Sequence, residues 1–146
     1  MSPMNELPAF APLVLFSALL VMKMGAVAFI TSNTRRKSRV VVNPEDTKVN
    51  PGSRAEREDA PATLRAKRVH QNDLENIPGF LVLALLFTLS GCSATTGWAY
   101  FGTYFAARTL HTVFYLNAAQ PWRTVMFFTG QLVQLGIIVR LLLRVL

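Results

Sequence analysis

The sequence predicts an all-α membrane protein whose single domain is a bundle of four transmembrane helices. Of its 146 residues, 51% are hydrophobic and only 16% are charged, whereas a soluble domain carries about 25% charge. Apolar runs separated by turn-forming residues reach the roughly 20 residues needed to cross a bilayer. Ten of the fifteen Lys and Arg residues fall within 35–68, which is typical of a cytoplasmic loop between spans.

The remaining composition excludes several classes of protein. A net charge of +7 on a soluble chain would suggest nucleic acid as a partner. Its confinement to one segment favours a membrane protein instead, and no nucleic-acid partner is expected. One Cys and two His are too few for an intrachain disulfide or a zinc site, so we expect no metal. The first residues carry Glu6 and no Lys or Arg, so we expect a retained span rather than a cleaved signal peptide.

The first predicted span covers about 7–32, with Pro8 and Pro12 in its first turns, where a missing N–H costs least. A polar segment at about 33–68 follows and is expected to be the cytoplasmic loop. It contains a basic stretch and the turn-forming sequence NPED at 43–46. The pattern becomes helical from about Pro61, with Asp59 as a possible N-cap.

The other three spans are predicted at about 69–90, 98–117 and 122–143. Small residues at 91–97 and Pro121 separate them. The second span is purely apolar only over 77–89, so its polar residues must lie at the membrane edge or inside the bilayer. The basic loop orients the bundle with that loop and the 118–123 turn inside, and with both termini outside.

Charged residues within spans are costly, at about 2.5–3.5 kcal/mol each at a helix centre. In the plainest interpretation, these charged residues pair with each other and fix the packing of the helices; they are Lys23, Asp73, Glu75, Arg108 and Arg123. Other polar residues form faces near the inner end of three helices: 68, 72 and 75 on the second, 108, 111 and 115 on the third, and 123, 127 and 131 on the fourth. Such faces suit a polar anionic ligand, with Arg for carboxylates and Glu for an ammonium group. In the plainer interpretation, Tyr115 is an interfacial aromatic residue and Gln131 an interhelical hydrogen-bond partner.

Longer motifs add a family resemblance over nearly the whole chain. They are LVMKM at 20–24, NPED at 43–46, RVHQNDLENIPGFLVLALLFTLSG at 68–91, RTLHTVFYL at 108–116 and QPWR at 120–123. In this order and at these spacings the sequence resembles the MAPEG family, the membrane-associated proteins in eicosanoid and glutathione metabolism. The resemblance implies a homotrimer of four-helix subunits. It also implies a glutathione site between neighbouring subunits, on the cytoplasmic side of the endoplasmic reticulum or of a bacterial inner membrane.

The resemblance also implies residue roles. Arg123 matches an arginine that stabilises the glutathione thiolate, and Asp46 matches an aspartate proposed to assist catalysis. The positions that match the family's glutathione-binding set are Arg35, Arg68, Gln71, Asn72, Glu75, His111, Tyr115, Arg123, Thr124 and Phe127. Three of these depart from the prostaglandin synthase branch: Gln71 replaces an arginine, Phe127 a tyrosine and Thr124 a serine. The motifs therefore look closer to the microsomal glutathione transferase branch.

The expected function is that of a membrane-bound transferase. It would conjugate the glutathione thiolate to hydrophobic electrophiles and also reduce lipid hydroperoxides. Three alternatives remain open: a non-catalytic lipid-binding scaffold, an isomerase of the prostaglandin E synthase type, and a carrier of small ions or solutes. Retention of the glutathione-binding set argues against the scaffold, and the apolar outer ends of the second and third helices argue against the carrier.

Overall fold

A computed structural model describes residues 7–146, most of which lie in four α-helices. These are α1 (Phe10–Ser38), α2 (Pro61–Leu89), α3 (Ala94–Leu116) and α4 (Trp122–Val145). Two short strands, β1 (Val40–Val41) and β2 (Arg54–Ala55), and a 3₁₀ turn (Pro44–Thr47) lie between α1 and α2. The four helices confirm the predicted all-α class. The expectation of a retained first segment concerns residues 1–6, which lie outside the described range.

The segment between α1 and α2 is folded against the helices. β1 and β2 pair in parallel with Val40 opposite Arg54, and both valines of β1 are buried. Helix α1 continues about six residues beyond its predicted end, so Arg35, Arg36 and Lys37 lie in its last turn. Cations there are stabilised by the free carbonyl groups at the helix C-terminus.

Helix α2 begins at Pro61, as the sequence indicates, but the proposed cap is wrong. Ala60 is the residue at the N-cap position, with no side-chain hydrogen bond. Asp59 forms ion pairs with Arg35 and Lys67 instead. Two cations held by one buried carboxylate outweigh a single capping hydrogen bond, because charge-assisted bonds are the stronger ones.

Two turns connect the last three helices. Gly91 has a φ of +77°, a conformation that a residue with a Cβ rarely adopts, and Ser93 then caps α3 by accepting a bond from the N–H of Thr96 at 3.2 Å. Helix α3 thus begins about four residues before its predicted start. Gly97 allows α1 to approach closely, since a Cβ there would meet the Cβ of Ala9 at 2.8 Å.

The helices pack so that α2 and α3 each contact both α1 and α4. Their core includes Phe80 and Tyr104, whose rings stack in parallel with centroids 3.6 Å apart, together with buried Phe101 and Ile137. Large apolar side chains also cover much of the outside, as expected where lipid replaces water. Within residues 7–146, α1, α2 and α4 are long and apolar enough to cross a membrane. Helix α3, which carries Arg108 and several Thr, Gly and Tyr residues, is not among these three.

Candidate functional site

The centre of the bundle contains an ion-paired triad. Lys23 Nζ donates to both carboxylate oxygens of Asp73, at 2.5 and 2.6 Å, and Nη2 of Arg108 lies 3.4 Å from Oδ1 of the same carboxylate. The side chains of Asp73 and Arg108 are fully buried. The predicted mutual pairing of charged residues is thus confirmed for three of the five. Glu75 and Arg123 form no ion pair among the described residues and have other partners. The triad joins α1, α2 and α3, and its two cations and one carboxylate give it a net charge of +1.

Arg108 also binds a residue of the predicted glutathione set. Its Nη2 donates to the backbone carbonyl of Asn72 at 3.3 Å and to the side-chain Oδ1 of Asn72. Among the described residues, neither Nε nor Nη1 of Arg108 has a hydrogen-bond partner. The side chain of Asn72 is therefore oriented from α3, one helical turn before His111.

A second polar contact ties α2 to α4. Gln131 donates to Oδ1 of Asn76 at 2.6 Å, and Nδ2 of Asn76 donates to the carbonyl of Asn72 at 2.7 Å. Tyr104 of α3 donates to the carbonyl of Asn76 at 3.0 Å. Gln131 is thus an interhelical hydrogen-bond partner, and the turn of α2 that contains Asn72 and Asn76 is held from both α3 and α4.

A pocket of about 220 Å³ lies between α3 and α4, at the end of the bundle where the α3–α4 turn joins these two helices. It is lined by His111, Tyr115, Arg123, Thr124 and Phe127, which are five of the predicted binding residues. The His111 ring is buried and lies edge-on to Tyr115, with centroids 5.6 Å apart, and 6.1 Å from Phe127. The pocket therefore combines aromatic walls with one guanidinium group and two hydroxyl groups, those of Tyr115 and Thr124.

Two neighbours hold the Arg123 side chain at this pocket. Its guanidinium carbon lies 4.5 Å from the centroid of the Tyr115 ring, a cation–π contact, so Tyr115 is more than an interfacial aromatic residue. With the amide of Gln120 oriented so that its nitrogen faces Thr124, its oxygen accepts from Nε and Nη2 of Arg123 at 3.1 and 2.6 Å. The guanidinium is thus pre-oriented at the start of α4.

The predicted residues of α2 lie on its exposed face. Gln71 and Glu75 share a hydrogen bond of 3.0 Å from the amide to the carboxylate, and both are exposed. Arg68 and Gln71 line an open depression of about 340 Å³. A carboxylate and a guanidinium that face outward are available to a ligand or to another copy of the chain.

Arg35 and Asp46 lie elsewhere, beside α1. Both line a cavity of about 330 Å³ between the end of α1 and the 3₁₀ turn. Nε of Arg35 donates to Oδ1 of Asp59 at 3.0 Å, and Lys67 pairs with the other oxygen of Asp59. Burial tends to raise the pKa of Asp59, but the hydrogen bonds from Lys67 and Arg35 outweigh burial and lower it below its ordinary value of 3.8.

The predicted set therefore divides into four parts within one chain. Five residues share the α3–α4 pocket, Asn72 is hydrogen-bonded to Arg108, and Arg68, Gln71 and Glu75 face outward from α2. Arg35 and Asp46 are separate from the pocket. The sequence did not assign Gln120 or Asp59 to the site. Gln120 does stand three residues before Arg123 across a proline turn, but a glutamine in a turn is not by itself a signal.

A bundle of long apolar helices with a polar pocket at one end defines an integral membrane protein that can bind a polar ligand. The MAPEG family model matches residues 13–143, and the chain belongs to the MAPEG family.

Relatives with two different names align over most of the chain. Human prostaglandin E synthase is 36% identical over 126 residues, which is 86% of this chain and 82% of the relative. Horse prostaglandin E synthase is 38% identical over 129 residues, covering 88% and 82% of the two chains. Bovine microsomal glutathione S-transferase 1 is 34% identical over 146 residues, covering 97% and 94%. Identity is higher with the synthases and the aligned length is greater with the transferase, so resemblance to the transferase branch stays a prediction.

Proposed function

We propose that this protein is a membrane-bound glutathione transferase in which Arg123 stabilises the glutathione thiolate. The observation that carries the proposal is the α3–α4 pocket, where Gln120 and Tyr115 hold the guanidinium of Arg123 beside His111 and Thr124. The name of the bovine relative, a microsomal glutathione S-transferase, supports the same reaction.

The pocket suits a thiol that must lose its proton. A free thiol has a pKa of about 8.5, so only a few per cent is thiolate at pH 7. A guanidinium within hydrogen-bonding reach stabilises the anion and lowers that pKa, and each unit corresponds to about 1.4 kcal/mol. The proton leaves to water, and the thiolate sulfur forms a bond to an electrophilic carbon as the leaving group departs with its electron pair. With a lipid hydroperoxide, the thiolate attacks the terminal oxygen and the O–O bond breaks, which gives a glutathione sulfenic acid and an alkoxide that takes a proton from water to become the alcohol. A second glutathione thiol then condenses with the sulfenic acid to give glutathione disulfide and water.

The other polar groups match the rest of glutathione. Its two carboxylates require cations, and Arg68 and Arg35 are the candidates among the predicted set; its ammonium group requires a carboxylate, for which Glu75 is available. Asn72, fixed by Arg108, offers an amide. Asp46 remains a proposed assistant in catalysis. It lies beside Arg35 and outside the Arg123 pocket of its own chain.

The separation of Arg35 and Asp46 from that pocket supports a site shared between copies. Helices α1 and α4 lie on opposite sides of the α2–α3 pair, so Arg35 of one copy would complete the pocket of a neighbour. We therefore propose a homotrimer in which each pocket is completed by Arg35 of a neighbouring copy. The site would lie at the end of the bundle that carries the basic segment and would face the cytoplasm. An apolar substrate would then enter from the lipid and glutathione from the water.

The test is spectroscopic. Ultraviolet difference spectra of the detergent-purified protein with glutathione should show thiolate absorption near neutral pH, and Arg123→Ala should lose most of it. Arg57→Gln is the matched control, because it removes one exposed guanidinium outside the site. Full thiolate absorption and an unchanged conjugation rate in Arg123→Ala would falsify the role of Arg123.

The names of the synthase relatives favour a second candidate, an isomerase that acts on a prostaglandin endoperoxide. A panel of a chloronitrobenzene, a lipid hydroperoxide and a prostaglandin endoperoxide separates the two reactions. Turnover of the endoperoxide alone would support the isomerase. A third outcome, no binding of glutathione by calorimetry, would support the lipid-binding scaffold.

A further inference from the structure

The end of the bundle opposite the basic segment carries two arginines beside an open groove. The groove has a volume of about 720 Å³ and lies between α4 and the ends of α2 and α3. Its floor includes Phe87 and Tyr100, and its α4 wall includes Leu135 and Val139, with Arg140 and Arg144 at one end. The groove is separate from the pocket that contains Arg123.

Both guanidinium groups are held at the groove. The guanidinium carbon of Arg140 lies 5.5 Å from the centroid of the Tyr100 ring, and Nη1 of Arg144 bonds to the backbone carbonyl of Ser90 and, at 3.1 Å, to its hydroxyl. Tyr100 reaches this position because Gly136 lacks a side chain; a Cβ at 136 would meet the Tyr100 ring at 3.0 Å. Both arginines nevertheless remain exposed, so their remaining N–H groups are available to a ligand.

The length of the groove fits one lipid chain. From Leu132 to Arg144 the helix rises about 18 Å at 1.5 Å per residue, and half of the hydrocarbon core of a bilayer measures about 15 Å. The apolar side chains along this stretch are exposed, with Leu132 at 66%, Leu135 at 55% and Leu143 at 74%. Such a wall is suited to an acyl chain that lies parallel to α4.

The charge at this end selects among lipids. Membrane proteins concentrate Lys and Arg on one side of the bilayer, and in this chain that side is the end with the 35–68 segment. Two adjacent arginines at the other end run against this pattern, and no carboxylate among residues 7–146 forms an ion pair with either. An acidic lipid headgroup would supply the negative charge that pairs with these two arginines.

We propose that Arg140 and Arg144 bind the phosphate of an acidic phospholipid whose acyl chain occupies the groove along α4. This site is independent of the glutathione chemistry. It would hold one lipid per chain in the leaflet at the α2–α3 turn.

The first experiment compares lipids that differ in headgroup charge. The full chain is equilibrated in mixed micelles with equimolar phosphatidylglycerol and phosphatidylcholine, and native mass spectrometry measures the lipid retained by each chain. The wild type should keep phosphatidylglycerol preferentially. The pair of changes Arg140→Gln and Arg144→Gln should reduce that preference roughly tenfold, because it removes both cations that attract the anionic headgroup.

The matched control changes Arg54 and Arg57 to Gln, which removes two exposed guanidinium groups from the opposite end. The control should keep the preference of the wild type. An equal loss in both pairs of variants would mean that net charge alone attracts the lipid, and it would overturn the site; so would a wild-type preference that survives the loss of Arg140 and Arg144.

Two measurements do not depend on those variants folding. A phosphatidylglycerol with a photoreactive acyl chain should label wild-type residues within 132–143 and Phe87. Labelling confined to residues outside the groove overturns the proposal. A Leu135→Cys variant tests for a second copy in the groove, because Cys92 is buried and leaves position 135 as the exposed thiol. Short thiol cross-links between copies would show that protein, not lipid, covers this wall.

Discussion

Arg108 of α3 donates from one guanidinium nitrogen to both the backbone carbonyl and the side-chain oxygen of Asn72 on α2. The same nitrogen lies 3.4 Å from the carboxylate of Asp73. A fully buried cation thus connects the ion-paired centre to a residue of the proposed glutathione site. Its role is to position Asn72, since the pocket beside Arg123 is lined by other residues.

Arg108→Lys should weaken glutathione binding while the bundle stays folded. Lysine keeps the charge near Asp73 but cannot reproduce the planar geometry of the guanidinium at Asn72. Loss of a hydrogen bond to a charged group corresponds to about 1.5–3 kcal/mol, so we expect roughly tenfold weaker binding by calorimetry. In combination with Asn72→Ala the effects should not add, because both changes remove the same contact; additive losses would exclude the positioning role.

Asp73→Asn should be among the most destabilising single changes. It leaves Lys23 and Arg108 without their carboxylate inside the bundle, and breaking a buried pair costs about 3–5 kcal/mol. Thermal unfolding in detergent measures the loss. Glu56→Gln is the control, because its pair with Arg54 is largely exposed and such pairs contribute about 0–1 kcal/mol. Equal stability of the two variants would contradict the structural role of the triad.

Gln120→Ala should shift the pH dependence of conjugation. The reactive form is the thiolate. With glutathione saturating, kcat/KM for the electrophile therefore rises as the pH increases through the pKa of the bound thiol. Without the Gln120 oxygen, the Arg123 guanidinium is less fixed and stabilises the thiolate less, so the midpoint should move up toward the free-thiol value of about 8.5. The shift should be smaller than in Arg123→Ala. A midpoint identical to that of the wild type would remove Gln120 from the site.

Asp59→Asn should destabilise the protein in a pH-dependent way. The folded pKa of Asp59 is lowered, so its contribution is present above the unfolded value near 3.9 and is lost as pH falls through the lower folded value. At pH 7 the variant should be less stable by about 1 kcal/mol, because its partners Arg35 and Lys67 are partly exposed. The difference from wild type should shrink below about pH 4. A constant difference down to pH 3 would show that the ion pairs do not contribute.

Mixing two inactive variants tests whether the site is shared. If Arg35 of one copy completes the Arg123 pocket of another, co-expression of Arg35→Ala and Arg123→Ala chains should restore activity. Random assembly of a symmetric trimer leaves about a quarter of the sites with both arginines intact. The two variants purified separately and then assayed together without exchange of subunits are the control. Activity no higher than that of the separate variants would place Arg35 outside the shared site.

Much of the fold could be predicted from particular residues. The apolar runs, the basic segment and the breaks near 91 and 121 specified four helices, because in a bilayer the backbone must satisfy its hydrogen bonds within each span. The bounds were less accurate: α1 extends to Ser38 and α3 begins at Ala94. A hydropathy pattern follows the lipid boundary, whereas a helix continues wherever its hydrogen bonds and tertiary contacts persist.

The polar side chains were separated into roles by tertiary structure. Spacing alone put Arg108, His111 and Tyr115 on one face of α3, but it did not distinguish an arginine that pairs with Asp73 from residues that line a pocket. The function of Asp59 as a partner of Arg35 was likewise hidden, because an acidic residue two positions before Pro61 has the pattern of a helix cap. Contacts between residues distant in sequence decide such cases.

The sequence by itself determined the four-helix membrane class and the set of residues that resembles a glutathione site, because hydropathy, charge placement and motif spacing are properties of the linear chain. Only the tertiary structure decided that Lys23, Asp73 and Arg108 form one buried triad and that Gln120 and Tyr115 orient Arg123. It also decided that Arg35 lies apart from that pocket. The reason is physical: the free energy of a buried charge depends on which partners the packing of other helices brings within hydrogen-bonding distance.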